Sequence, residues 1–109
     1  MISEEMRTEI IDGLMQILAN KVYSIILYGS FARGDHKPDS DIDIAVVLYS
    51  NMENGEKSEF LHWNAELDLK YGKVFSIVDI NKSQIDQWGK VLPFYKNIQN
   101  EGVILWKAA

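Results

Sequence analysis

The chain contains no cysteine, so disulfide bonds and thiolate metal sites are both excluded. No stretch approaches the ~18 consecutive apolar residues of a membrane-crossing helix. The N-terminus is acidic and has no continuous apolar segment, so it does not read as a secretion signal. Lysine and arginine total 11 against 16 acidic residues, a net charge of −5 with no basic cluster. Nucleic-acid binders draw most of their affinity from phosphate contacts by a basic face, so direct binding to DNA or RNA is not expected. Internal repeats, low-complexity runs and linkers are also missing. With 109 residues, nearly half of them apolar, the chain is expected to fold as one domain, 1–109, around one core, in the cytoplasm.

Apolar spacing divides the chain into alternating helices and strands. Ser3 can cap a helix reaching to about residue 19, with Glu4 and Glu5 in its first turn and Met6, Ile10, Leu14, Ile17 and Leu18 on one face. Val22 to Tyr28 is β-branched and aromatic and reads as a central strand. Gly29 to Arg33 forms a turn and short helix, followed by a polar, mobile loop through Pro38 to Ser40. Asp41 to Leu48 reads as a second strand. Glu56 to Tyr71 is a long helix ended by Gly72; His62 lies within it without a partner histidine and reads as a packing or surface residue. Val74 to Ile80 is a third strand. Ser83 can cap a short helix to about Trp88, and Pro93 starts a last helix ending before Gly102. Val103 to Trp106 is a short strand or extended tail. The fold class is therefore α/β (α+β), a small sheet backed by helices.

The stretch Leu27-Tyr-Gly-Ser-Phe-Ala-Arg-Gly-Asp-His-Lys-Pro-Asp-Ser-Asp41-Ile-Asp43 stands out chemically. Residues two apart on a strand share a face, so Asp41 and Asp43 point the same way, with Ala45 and Val47. Ile42, Ile44, Val46 and Leu48 form the opposite, wholly apolar face. Adjacent carboxylates repel unless a cation lies between them, and hard oxygen ligands suit Mg²⁺ shared with substrate phosphates. Gly29 and Ser30 end a strand and open a helix, where free N–H groups and a hydroxyl attract phosphate. Arg33 lies about one turn further on and can reach the same anion. Together these residues read as a site for a metal–nucleoside triphosphate. The bland alternative, in which the aspartates cap a turn or pair with Lys37 and Arg33, does not account for the Gly-Ser corner.

The pattern Gly-Ser, ten residues, Asp-x-Asp resembles the DNA polymerase β-like nucleotidyltransferase superfamily. Four fixed positions at roughly 5–7% each match by chance in about one chain per thousand of this length. The flanks Ala32-Arg33-Gly34 and Ser40-Asp41-Ile42-Asp43, the chain length, and the tail from Pro93 to Trp106 are similar to the minimal nucleotidyltransferases (MNT), the antitoxin partners of HEPN toxins. That resemblance implies a mixed sheet, ATP as substrate, Mg²⁺ as cofactor, Asp41 and Asp43 as catalytic metal ligands, and Gly29, Ser30 and Arg33 on the phosphates. It implies transfer of AMP to a tyrosine of a HEPN toxin, and leaves room for a hetero-oligomer with that toxin. Many relatives carry a third acid in a strand like Val-Asp-Leu-Val-Asp-Leu. Laid on Val74 to Ile80, the pattern puts Ser76 at that position and matches Asp79 to the second aspartate. Three readings stay open: Asp79 ligates metal through a shifted register, two carboxylates suffice, or the site binds nucleotide without efficient transfer and the protein neutralises its toxin by binding. Trp88, Phe94, Tyr95 and Trp106 read equally as a partner surface or as core.

Overall fold

A computed structural model describes residues 2–109. Helix α1 (Glu4–Leu18) begins where the Ser3 hydroxyl accepts the Met6 N–H at 3.2 Å, satisfying one of the donors a helix start leaves free. Its buried stripe is Ile10, Leu14 and Leu18. A single 3₁₀ turn, Ala19–Lys21, leads into strand β1 (Val22–Tyr28). Helix α2 (Ser30–Arg33) follows at once, and strand β2 covers Ile42–Leu48. Helix α3 (Asn54–Tyr71), strand β3 (Phe75–Asn81), helices α4 (Lys82–Trp88) and α5 (Pro93–Glu101), and strand β4 (Val103–Lys107) complete the order. Among the described residues, no helix is long and apolar enough to cross a membrane.

The four strands form one sheet in the order β3-β2-β1-β4. Strand β1 runs antiparallel to both neighbours, whereas β2 and β3 are parallel. A parallel pair needs a crossover, and α3 supplies it. The sheet is mixed, as expected, and β1 and β2 occupy its centre.

Alternation along the strands builds two apolar layers. Ile25 and Leu27 of β1, Ile42, Ile44, Val46 and Leu48 of β2, and Phe75 of β3 pack against Ile10, Leu14 and Leu18 of α1 and Phe60 and Leu67 of α3. On the opposite face Ile26, Ala45, Val47 and Ile80 meet Ile85 of α4 and Ile98 of α5. The apolar face of β2 thus lies under α1 and α3. The aspartate-bearing face is covered only further along, by α4 and α5.

Several boundaries differ from the sequence reading, each for a local reason. Strand β2 starts at Ile42, leaving Asp41 just outside the ladder. Helix α3 starts at Asn54 rather than Glu56, because the Glu56 carboxylate turns back to accept the Glu53 N–H at 2.9 Å in a capping box. Asn81, not Ser83, caps α4: its side chain accepts the Ser83 N–H at 3.0 Å. The segment Val103–Lys107 is a full edge strand on β1. The polar loop after α2 is tied at three points. His36 stacks on Phe31 at 4.0 Å, the Lys37 N–H donates to the Ser40 hydroxyl, and Lys73 donates to the Pro38 carbonyl.

Candidate active site

Strands β1 and β2 set the site. Tyr28, the last residue of β1, stands opposite Asp43, the second residue of β2. Both side chains point to the α4–α5 face. Beyond Tyr28 the chain turns sharply at Gly29, whose φ of +72° lies in the left-handed region. Space demands glycine here as much as the angle does. A Cβ built at this position would overlap the Asp43 carboxylate. The turn and the acid are thus packed directly together. Ser30 then opens α2, in which the Ala32 and Arg33 N–H groups donate to the Gly29 carbonyl, so that those of Ser30 and Phe31 are the ones ahead of the helix's own hydrogen bonds.

Gly29, Ser30, Arg33, Asp43 and Tyr28 line a pocket of about 380 Å³, closed on its other side by Phe94, Asn97 and Glu101 of α5. That volume falls in the usual range for small-molecule sites. Arg33 ends α2 and bridges outward to Asp35 at 3.2 Å and Glu101 at 3.4 Å. It remains half exposed and close enough to Asp43 to favour that residue's ionised form.

The acids are electrostatically frustrated. Burial pushes the Asp43 carboxyl above the usual carboxylate range, and the negative charge of Asp41 pushes it further; Arg33 offsets part of this. Tyr28 is likewise raised, by burial and then by Asp43. A cation between the two carboxylates would relieve the repulsion. Asp41 itself is exposed and lines a neighbouring depression of about 360 Å³ with Asp39, Asp68 and Lys73. It reaches the pocket through its field on Asp43 rather than through the pocket wall.

The parallel β2–β3 register places Ser76 beside Asp43 and Asp79 beside Val46. Side chains alternate along a strand, so Ser76 shares the face of Asp43 and Asp79 does not. Asp79 belongs to the α1–α3 face, where its carboxylate lies 3.7 Å from Lys57 of α3. The candidate metal role for Asp79 therefore meets a geometric correction: it lies three positions after Ser76, an odd step that turns it to the far side of the sheet. Among the described residues, no cluster of three or more histidine or acidic side chains could hold a metal ion. The donor set suits one divalent ion held by Asp41 and Asp43 and completed by phosphate oxygens and water.

A family model described as "Nucleotidyltransferase domain" matches residues 8–105. The chain belongs to the nucleotidyltransferase domain family. As a nucleotidyltransferase it has a relative in Methanocaldococcus jannaschii, named "Putative protein adenylyltransferase MJ0604", 29% identical over 101 residues, which cover 90% of this chain and 92% of the relative. In fold it is similar to a chain of a toxin–antitoxin crystal structure with AMP-PNP, with a TM-score of 0.63 and 20% identity over 94% of this chain and 73% of that one. It is also similar to a chain in the complex of the tri-AMPylated Shewanella oneidensis HEPN toxin with its MNT antitoxin, at a TM-score of 0.59 and 17% identity, covering 98% and 74% of the two chains.

The sequence reading missed four pocket residues of this nucleotidyltransferase: Tyr28, Asn97, Glu101 and the inward role of Phe94. Tyr28 was recoverable, since it adjoins Gly29 at the end of the same strand. Phe94, Asn97 and Glu101 follow helical spacing, but only the packing of α5 over the sheet reveals that this stripe faces Gly29. Trp88 and Phe94 are exposed, Tyr95 packs partly into the α4–α5 layer, and Trp106 packs partly against the α1–α3 layer.

Proposed function

We propose that this protein transfers AMP from ATP, in the presence of Mg²⁺, to a tyrosine hydroxyl of a partner HEPN toxin in the cytoplasm, silencing the toxin. The observation that carries the reading is the packing of the Asp43 carboxylate against Gly29, at the turn where β1 ends and α2 begins. The relative named for protein adenylyl transfer, and the fold neighbours found with AMP-PNP or with an AMPylated HEPN toxin, support the donor and the acceptor.

Asp41 and Asp43 would hold the Mg²⁺, which when bound neutralises triphosphate charge and assists departure of pyrophosphate. The Ser30 hydroxyl and the first N–H groups of α2 orient the phosphates, while Arg33 meets charge developing on them. The tyrosine oxygen bonds to the α-phosphorus, the bond to the β-phosphate oxygen breaks, and the phenolic proton passes to solvent. Positioning and charge neutralisation carry most of such a reaction.

A second reading is favoured by Ser76. With serine where a third carboxylate would sit beside Asp43, the protein binds nucleotide but neutralises its toxin by covering it. ATP labelled at the α-phosphate, incubated with Mg²⁺, the protein and its partner, separates the two. Label on a partner tyrosine, lost in the double variant Asp41→Asn/Asp43→Asn, supports transfer. Full neutralisation by that variant, with no label in any sample, supports the second reading.

A further inference from the structure

Helix α5 turns one stripe to the pocket. Phe94, Asn97 and Glu101 are spaced three and four apart and therefore lie along one side of the helix, while Ile98 is buried against the sheet. The stripe changes chemistry along its length. At its C-terminal end Glu101 accepts from Arg33, on the phosphate side of the pocket. At its N-terminal end Phe94 presents an aromatic ring, about 10 Å away along the helix axis. That span is on the scale of a nucleotide from its phosphates to its base.

Phe94 is poorly explained as core. It is 47% exposed. It meets Tyr28 edge-on, at 5.9 Å and 86°, and Tyr95 at a tilt of 54°, so neither neighbour stacks face to face with it. A half-exposed aromatic ring lining the pocket that Gly29 and Ser30 also line is a surface on which a nucleobase would stack. Asn97 lies one turn further along and brings both a donor and an acceptor, the pair needed to read a base edge.

We propose that Phe94 is the stacking platform for the nucleobase and that Asn97 selects among bases. This rests on the nucleotide-site reading above and assigns the part of the pocket that the phosphate corner leaves unexplained. Glu101 then serves as a positioning residue, holding Arg33 at the phosphate end.

The test is calorimetric titration of the intact protein with Mg·AMP-PNP and, separately, with Mg·tripolyphosphate, which lacks a base. Phe94→Ala is expected to weaken AMP-PNP about 10-fold and to leave tripolyphosphate unchanged, while Phe94→Tyr binds both like the wild type. Phe94→Leu keeps the apolar bulk without the ring and is expected to behave like Phe94→Ala, which covers a folding failure of the smaller variant. Asn97→Ala is expected to narrow the preference between adenine and guanine nucleotides about 5-fold or more. If Phe94→Ala and Phe94→Leu bind AMP-PNP like the wild type, the platform is overturned while the phosphate site stands. If the wild-type protein binds neither ligand, the nucleotide-site reading itself fails.

Discussion

Ser76 lies beside Asp43 across the parallel β2–β3 ladder, with both side chains on the face that carries the pocket. A carboxylate at position 76 would therefore join the two aspartates directly. Ser76→Asp is expected to strengthen binding of Mn²⁺ or Mg²⁺ about 10-fold, since another full charge close to the ion adds favourable Coulomb energy even when well screened. Without metal the same substitution adds like-charge repulsion and lowers the thermal midpoint. Metal titration and thermal unfolding of one sample check both halves. Unchanged metal affinity would remove Ser76 from the site.

Asp43 should make stability fall as pH rises through the acid range. Its carboxyl is raised above the ordinary value by burial and by Asp41, so the folded chain holds this proton more tightly than the unfolded chain. Below the ordinary value both states are protonated and nothing is lost. Above it the unfolded chain ionises first, and the penalty grows until the pH passes the raised value. Asp43→Asn removes the penalty. Its thermal midpoint at pH 7 is expected about 1–3 °C above the wild type, a small effect because the site is partly solvent-screened. The two curves should converge below about pH 3, and Mg²⁺ should stabilise only the wild type.

Gly29→Ala combines two faults, a left-handed backbone angle and a methyl group overlapping the Asp43 carboxylate. A loss of about 2–3 kcal/mol in urea unfolding is expected. Nucleotide binding should fall with it, because the turn can relax only by moving away from the acid. By contrast, Gly34→Ala meets no neighbouring atom, so it carries the backbone strain alone and should cost about 1 kcal/mol.

Asp79→Asn tests the face assignment. The residue pairs with Lys57, and both side chains are close to half exposed. The substitution should cost under about 1 kcal/mol of stability and leave metal and nucleotide affinity unaltered. A strong loss of metal binding would return Asp79 to the site and contradict the register.

Much of this was legible in the chain itself. Helical spacing in Ile10, Leu14 and Leu18, alternation in Ile42 to Leu48, and Gly72 after Tyr71 are local signals, and the elements follow them. The Gly-Ser and Asp-x-Asp spacing brings Gly29 next to Asp43 because the two lie on adjoining elements of one hairpin-like unit. Asp79 shows what spacing leaves undecided. Its distance from Ser76 already placed the two on opposite faces, but only the pairing of β3 with β2 shows which face meets Asp43. The α5 wall was hidden for a similar reason. Phe94, Asn97 and Glu101 form an unremarkable stripe of mixed polarity until tertiary packing sets it across from Gly29. Asn64 and Asp68 were hidden too. Asp68 accepts the Phe75 N–H at 2.8 Å and Asn64 donates to the Phe75 carbonyl, fixing the start of β3 through side chains that helix periodicity marks only as polar.

The most direct measurement is calorimetric titration of Mg·AMP-PNP into the wild-type protein and into Asp43→Asn, with EDTA as control. Saturable binding by the wild type, abolished by EDTA and weakened at least about 10-fold in the variant, is the predicted result. Equal binding by both proteins, or binding indifferent to EDTA, would contradict the account.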